Sequence, residues 1–131
     1  MIEIARRYKN GPVTRKTISR NQKISSAYLE NILISLKSQK LIQTIRGANG
    51  GFMLSTPANK ITMFEIVSAL EGSIAPVDCV DKSDFCERSR ACAARRFWQE
   101  LHNAQLSVLK NTTLQSLVDA EESVKDLDYC I

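Results

Sequence analysis

A mainly α-helical chain with one small two-stranded β wing is predicted by three features of the sequence. Two short helical stretches, RKTISRNQ and AYLENILISLKSQK, are separated by a tight connection at Lys23-Ile24. Two short apolar runs, LIQTI and FML, flank the glycine-rich RGANGG. A long stretch from about Glu87 to Lys110 carries apolar residues at helical spacing. At 131 residues the chain suits one domain, or one domain with an extended arm, and is long enough to bury its own core.

The elements follow in order. Ile2, Ile4, Ala5 and Tyr8 suit the end of a helix, stopped by Asn10-Gly11-Pro12. Thr14 is an N-cap for the first short helix. Ser25 or Ser26 caps the second, in which Leu29, Ile32, Leu33 and Leu36 form one apolar stripe. The apolar runs then read as a hairpin whose tip holds three glycines and an Asn, residues that accept positive φ. ITMFEIVSALEGS is a helix with marked ends. Thr62 and Glu65 make a T-x-x-E capping box, Ile61 and Ile66 a hydrophobic staple, and Gly72 a terminator. In the long helix Phe97, Leu101, Ala104 and Val108 recur at 4-3-4 spacing, a seam suited to another helix. At about 24 residues, or about 35 Å, this arm is long for a small domain, and a second copy is its simplest partner. NTTLQSLVDAEESV reads as a short final helix entered through Thr112 or Thr113, followed by an acidic tail.

The net charge of +4 conceals an asymmetry. Residues 1–60 hold 11 Lys+Arg and 2 Asp+Glu, whereas residues 61–131 hold 7 and 12. A basic head on an acidic body suits nucleic-acid binding. No apolar run approaches the roughly 18 residues of a membrane span, and MIEIARRYKN lacks the apolar segment of a secretory signal. A cytoplasmic location with reduced thiols is expected. One histidine, no paired acids in a recognisable setting and no nucleophile motif argue against an enzyme with a small-molecule substrate.

Two short helices and a glycine-tipped hairpin make a winged helix-turn-helix. Its second helix would present Ser25, Ser26, Ala27, Tyr28, Glu30 and Asn31 to base edges in the major groove. Serine donates or accepts, the Ala27 methyl meets a thymine methyl, Glu30 accepts from cytosine and Asn31 engages adenine. Glu30 facing phosphate needs such a base or an Arg neighbour; alternatively it simply complements the helix N-terminus. Arg46, at the foot of the wing, suits a narrow minor groove or a phosphate. Gly47, Asn49 and Gly50 form the wing tip. Thr14, Arg15 and Lys16, with Arg20 and Lys23, suit phosphate contacts, which give affinity rather than sequence preference.

Three of four cysteines, Cys79, Cys86 and Cys92, lie in CVDKSDFCERSRAC, with six and then five residues between them. A structural zinc site would show C-x2-C pairs and four ligands, and neither occurs. A disulfide switch stays open. An iron–sulfur cluster held by three thiolates and a different fourth ligand suits the pattern best, because iron favours thiolate and accepts mixed ligation.

These residues also carry a resemblance. ISSAYLENILISLKSQKLIQTIRGANGGFMLS, then ITMFEIVSALEG, three cysteines and Phe97-Trp98 in a long helix resemble the IscR/NsrR/RirA-type winged-helix transcription regulators over nearly the whole chain. The resemblance implies a homodimer joined through the long helix on a palindromic double-stranded DNA operator, usually as a repressor. It implies an iron–sulfur cluster, 2Fe–2S or 4Fe–4S, on Cys79, Cys86 and Cys92, and sensing of cluster supply, iron, nitric oxide or oxidants. Three departures qualify it. The first cysteine gap is six residues where many members have five. Arg95 stands where the IscR subgroup has a ligating histidine, and a guanidinium cannot ligate. The only histidine, His102, lies ten residues past Cys92, about 15 Å along a helix, and suits a surface or interface. Members also begin well before the point matching Ile2: either the true start lies upstream of Met1, and a fourth ligand with it, or the first helix is truncated. Glu3, Asp81 and Asp84 are stand-ins; Cys130 reads as a free thiol.

The expected division is a DNA-binding unit over 1–72, a cysteine sensor loop over 73–92, and a dimerisation helix with its tail over 87–131. Two alternatives keep the DNA binding: a cluster-free regulator sensing through thiol oxidation, and a regulator acting in complex with a metabolic enzyme.

Overall fold

After the first, each early helix begins where the sequence supplies a cap. The computed structural model describes residues 1–128, so Cys130 lies outside the described residues. Helix α1 spans Ile2–Arg6 and gives way to a turn that ends at Gly11, φ +95°. Helix α2, Arg15–Gln22, is capped by Thr14, whose hydroxyl oxygen accepts from the Thr17 amide at 3.2 Å. It closes at Lys23, in the left-handed conformation (φ 53°, ψ 38°). Helix α3, Ser26–Ser38, is capped by Ser25, which accepts from the Tyr28 amide at 3.1 Å. It stops two residues short of the stretch expected, because Lys40 turns to φ 57° and feeds the chain into a strand.

Strands β1, Ile42–Ile45, and β2, Gly51–Leu54, pair antiparallel in the register Ile42↔Leu54 to Ile45↔Gly51. Val13 pairs with Phe52 by two hydrogen bonds of 2.8 and 3.0 Å, which ties the entry of α2 to the wing. Gly51 permits this approach: a Cβ there would sit 2.5 Å from the Val13 carbonyl oxygen. Helix α4, Met63–Glu71, shows the expected capping box, and it ends at Gly72. Ile61 and Ile66, the staple pair, are both buried.

The core gathers Leu29, Leu33 and Leu36 of α3 with Val13, Ile18, Ile42, Leu54, Ile61 and Ile66. Each such side chain contributes about 1.5–3 kcal/mol by leaving water.

The second half differs from expectation in two places. The long helix α6 spans Ala93–Asn111, 19 residues rather than about 24, and starts after the last cysteine of the loop. Residues 87–92 do not join it, and Ser89 there bonds locally, donating to the Cys86 carbonyl oxygen at 2.6 Å. Such bonds compete with helix propagation. A one-turn helix, α5, spans Asp78–Asp81. The last helix, α7, spans Leu114–Asp128, longer than the short final helix expected. It returns to the N-terminal unit, burying Leu114 and Val118 there, with an Arg6–Glu121 ion pair at 2.8 Å. The junction between α6 and α7 is pinned to α4: the Met63 amide donates to the Thr112 carbonyl and the Leu114 amide to the Ile61 carbonyl, both at 2.8 Å.

Candidate nucleic-acid interface and cysteine loop

Burial of Leu29, Leu33 and Leu36 forces the opposite side of α3 outward. Ser25, Ser26, Ala27, Tyr28, Glu30 and Asn31 are all exposed, Tyr28 by 60%. Thr14, Arg15 and Lys16 are exposed at the start of α2. The structure joins these groups directly, because Arg15 Nη1 lies 2.8 Å from Glu30 Oε2. Of the two neighbours that Glu30 needed, base or arginine, the free protein supplies the arginine. Arg15 is correspondingly half-spent before any phosphate arrives.

Arg46, Gly47 and Asn49 are exposed in the wing. Gly47 sits at φ +114° with open space around its Cα, and its carbonyl accepts from the Gly50 amide at 3.0 Å, closing the tip. Gly50 has a tighter reason to be glycine: a Cβ would collide with the Ile45 and Gly47 carbonyls. Lys37, Lys40 and Ile34, which were not among the expected site residues, are also exposed on α3 and its exit. Lys37 lines the cleft between α3 and the wing together with Arg15, Glu30, Ile34 and Thr44. The signal that would have found Lys37 and Lys40 is their closeness to the wing, which a linear reading does not contain.

Cys79 lies half-buried on α5, Cys86 is exposed in the following turns, and Cys92 is the half-buried N-cap of α6. All three are free thiols. Arg95 Nε donates to the Cys79 carbonyl oxygen at 2.8 Å, fastening α5 to the first turn of α6. The three thiols fit thiolate ligation chemically. Their arrangement is not that of a finished site, since among the described residues no group of three His, Cys, Asp or Glu side chains is placed to hold one metal ion. The stand-in ligands are engaged or distant. Glu3 accepts from Asn21 Nδ2 at 2.9 Å in the N-terminal unit, and Asp84 accepts from Ser83. His102 is half-buried on α6, its Nδ1 without a hydrogen-bond partner among the described residues.

The seam of α6 is bare. Phe97, Leu101 and Val108 are 58%, 46% and 66% exposed, and Ala104 is exposed between them. Phe97 and Trp98 stack edge to face, with centroids 5.1 Å apart. No helix among the described residues is long and apolar enough to cross a membrane.

Comparison with known proteins gives one answer from sequence and from fold. Residues 1–120 match the family model "Rrf2: Iron-dependent Transcriptional regulator". The chain is 34% identical over 117 residues to the HTH-type transcriptional regulator CymR of Bacillus subtilis, which spans 89% of this chain and 80% of that protein. The solved structure of CymR, the global cysteine regulator of B. subtilis, superposes with a TM-score of 0.76 over 91% of this chain and 87% of that one. The structure of T. potens IscR superposes with a TM-score of 0.74 at 31% identity, over 93% and 80% of the two chains. The winged helix-turn-helix that the helices and hairpin form is thus that of DNA-binding regulators rather than of an enzyme, and the chain belongs to the Rrf2 family of transcriptional regulators.

Proposed function

We propose that the chain acts as a cytoplasmic homodimer that binds a palindromic operator, usually to repress, and that its cysteine loop sets the grip. Thr14, Arg15 and Lys16 approach phosphate. Ser25, Ser26, Ala27, Tyr28, Glu30 and Asn31 face the major groove, while Arg46, Gly47, Asn49 and Gly50 reach the neighbouring minor groove. The α6 seam joins the protomers; leaving Phe97, Leu101 and Val108 in water supports this. The observation that carries the sensing role is the Arg95–Cys79 hydrogen bond, which couples the thiol-bearing loop to the proposed dimer helix.

An iron–sulfur cluster is the first reading of the signal, with Cys79, Cys86 and Cys92 as its thiolates. Bound there, a cluster would be held by the three thiolates and would favour one of two loop states. Anaerobic incubation with iron and sulfide tests this reading. Visible charge-transfer absorption and a matching iron count are expected, lost in the C79S, C86S and C92S variants. Colourless protein whose DNA binding ignores iron and sulfide sinks it.

Thiol oxidation is the second reading. It is favoured by the exposure of Cys86. Metal-free protein whose DNA affinity responds to peroxide, with loss of free thiols, would select it.

A further inference from the structure

The turn that leaves α3 and the first strand of the wing enclose a concavity of about 410 Å³ lined by Lys37, Lys40, Gln43, Thr44, Arg46 and Ser55 over a floor of Ile42. Its charged residues are all cations. None of the three makes an ion pair among the described residues, in contrast to Arg15, which is held by Glu30. The helix dipole accounts for Lys37 in the last turn of α3. It does not account for Arg46, which stands beyond β1 at the foot of the wing. Lys40 also occupies the left-handed region, φ 57°, where a lysine is strained and a glycine would not be. Its amide donates to the Lys37 carbonyl at 2.9 Å, so one tight turn carries both lysines.

Position adds the second argument. With α3 in a major groove and the wing at the adjacent minor groove, the DNA strand dividing the two grooves must cross between helix and wing. Lys37 and Thr44 line both the α3–wing cleft and the cationic concavity, so they stand on that crossing. We propose that Lys37 and Lys40, with Thr44 and Ser55 as neutral hydrogen-bond partners, form a seat for a phosphodiester of the dividing strand, with Arg46 at its wing edge going on into the minor groove. This inference rests on the reading that α3 and the wing are the DNA face. The seat fixes register and supplies affinity, and it reads no bases.

The test titrates the reduced protein with a mixed-sequence duplex of about 30 base pairs, by fluorescence anisotropy, between about 50 and 200 mM KCl. K37Q, K40Q and the double variant are compared with wild type and with K82Q, which removes an equal charge from the cysteine loop. K16Q samples the rest of the proposed face. Each seat lysine removed is expected to flatten the slope of log K against log salt by about 0.9 per protomer. Circular dichroism and the melting temperature should stay unchanged, and K82Q should leave the slope alone. A wild-type slope in K37Q/K40Q with a reduced slope in K16Q overturns the seat and spares the face. Wild-type slopes in all of them overturn both. Equal losses in K82Q and the seat variants reduce the effect to bulk charge and also overturn it. If inorganic phosphate at matched ionic strength displaces the duplex from wild type but not from the double variant, the seat serves free phosphate, and its assignment to the strand fails.

Discussion

Arg95 reaches across from the first turn of α6 and donates its Nε hydrogen to the carbonyl oxygen of Cys79 at 2.8 Å. A residue that cannot be a ligand is thus the fastening of the loop that holds the thiols. Arg95→Ala removes a part-buried bond of on the order of 1 kcal/mol. Amide exchange over residues 78–82 should accelerate, while exchange in α3 and α4 stays at wild-type rates. Unchanged exchange at 78–82 would show that α5 is held by something else.

The Arg15–Glu30 pair is exposed, and pairs of this kind contribute less than about 1 kcal/mol to stability. Its larger effect is on availability. Glu30→Ala should leave the melting temperature nearly unchanged and release Arg15 to phosphate. Affinity for mixed-sequence DNA should rise, with a steeper salt dependence. Weaker non-specific binding in the variant would contradict this.

Placing a charge in the α6 seam tests the proposed dimer. Leu101→Glu, at a residue 46% exposed in the single chain, has little reason to unfold the protomer. Sedimentation should shift from dimer to monomer, and circular dichroism should not change. A dimeric Leu101→Glu variant would relocate the interface.

Leu114 is 1% exposed, so Leu114→Ala should cost about 2–5 kcal/mol in a urea melt of the whole chain. Were α7 an independent tail, the same truncation would cost nothing measurable.

Gly51→Ala forces a methyl against the Val13 carbonyl, which is backbone and cannot swing aside. Loss of the Val13–Phe52 pairing should appear as faster exchange of both amides, together with a lower melting temperature.

Local signals were the legible ones. Thr14, Ser25 and the Thr62/Glu65 box mark helix starts because each cap is satisfied within three residues, and their hydrogen bonds stand where the pattern put them. The 29-33-36 stripe told which side of α3 faces in, and thereby which residues face out. Sequence alone starts α6 too early, because Glu87, Arg88 and Ala91 are good helix formers. Competing with them is the Ser89 hydroxyl, which bonds to the Cys86 carbonyl oxygen. The return of α7 was also missed, although Leu114, Leu117 and Val118 repeat at the spacing of an inward stripe. The acidic residues around them give the same stretch the composition of a tail. Pairings such as Arg15–Glu30 and Arg95–Cys79 join residues 15 and 16 positions apart, and only the folded chain brings them together.

The pinned junction at Thr112 gives α6 a mechanical character. One end of the rod is clamped to α4 by two backbone hydrogen bonds, and the other is the cysteine-bearing end, with Cys92 itself as the mount. That is a lever with its fulcrum at Thr112. The rod is about 28 Å long, so a swing of about 10° carries the Cys92 end through about 5 Å. In the proposed dimer, where two such rods would lie together, chemistry at sulfur would become a change of angle between two reading heads, carried by a helix alone.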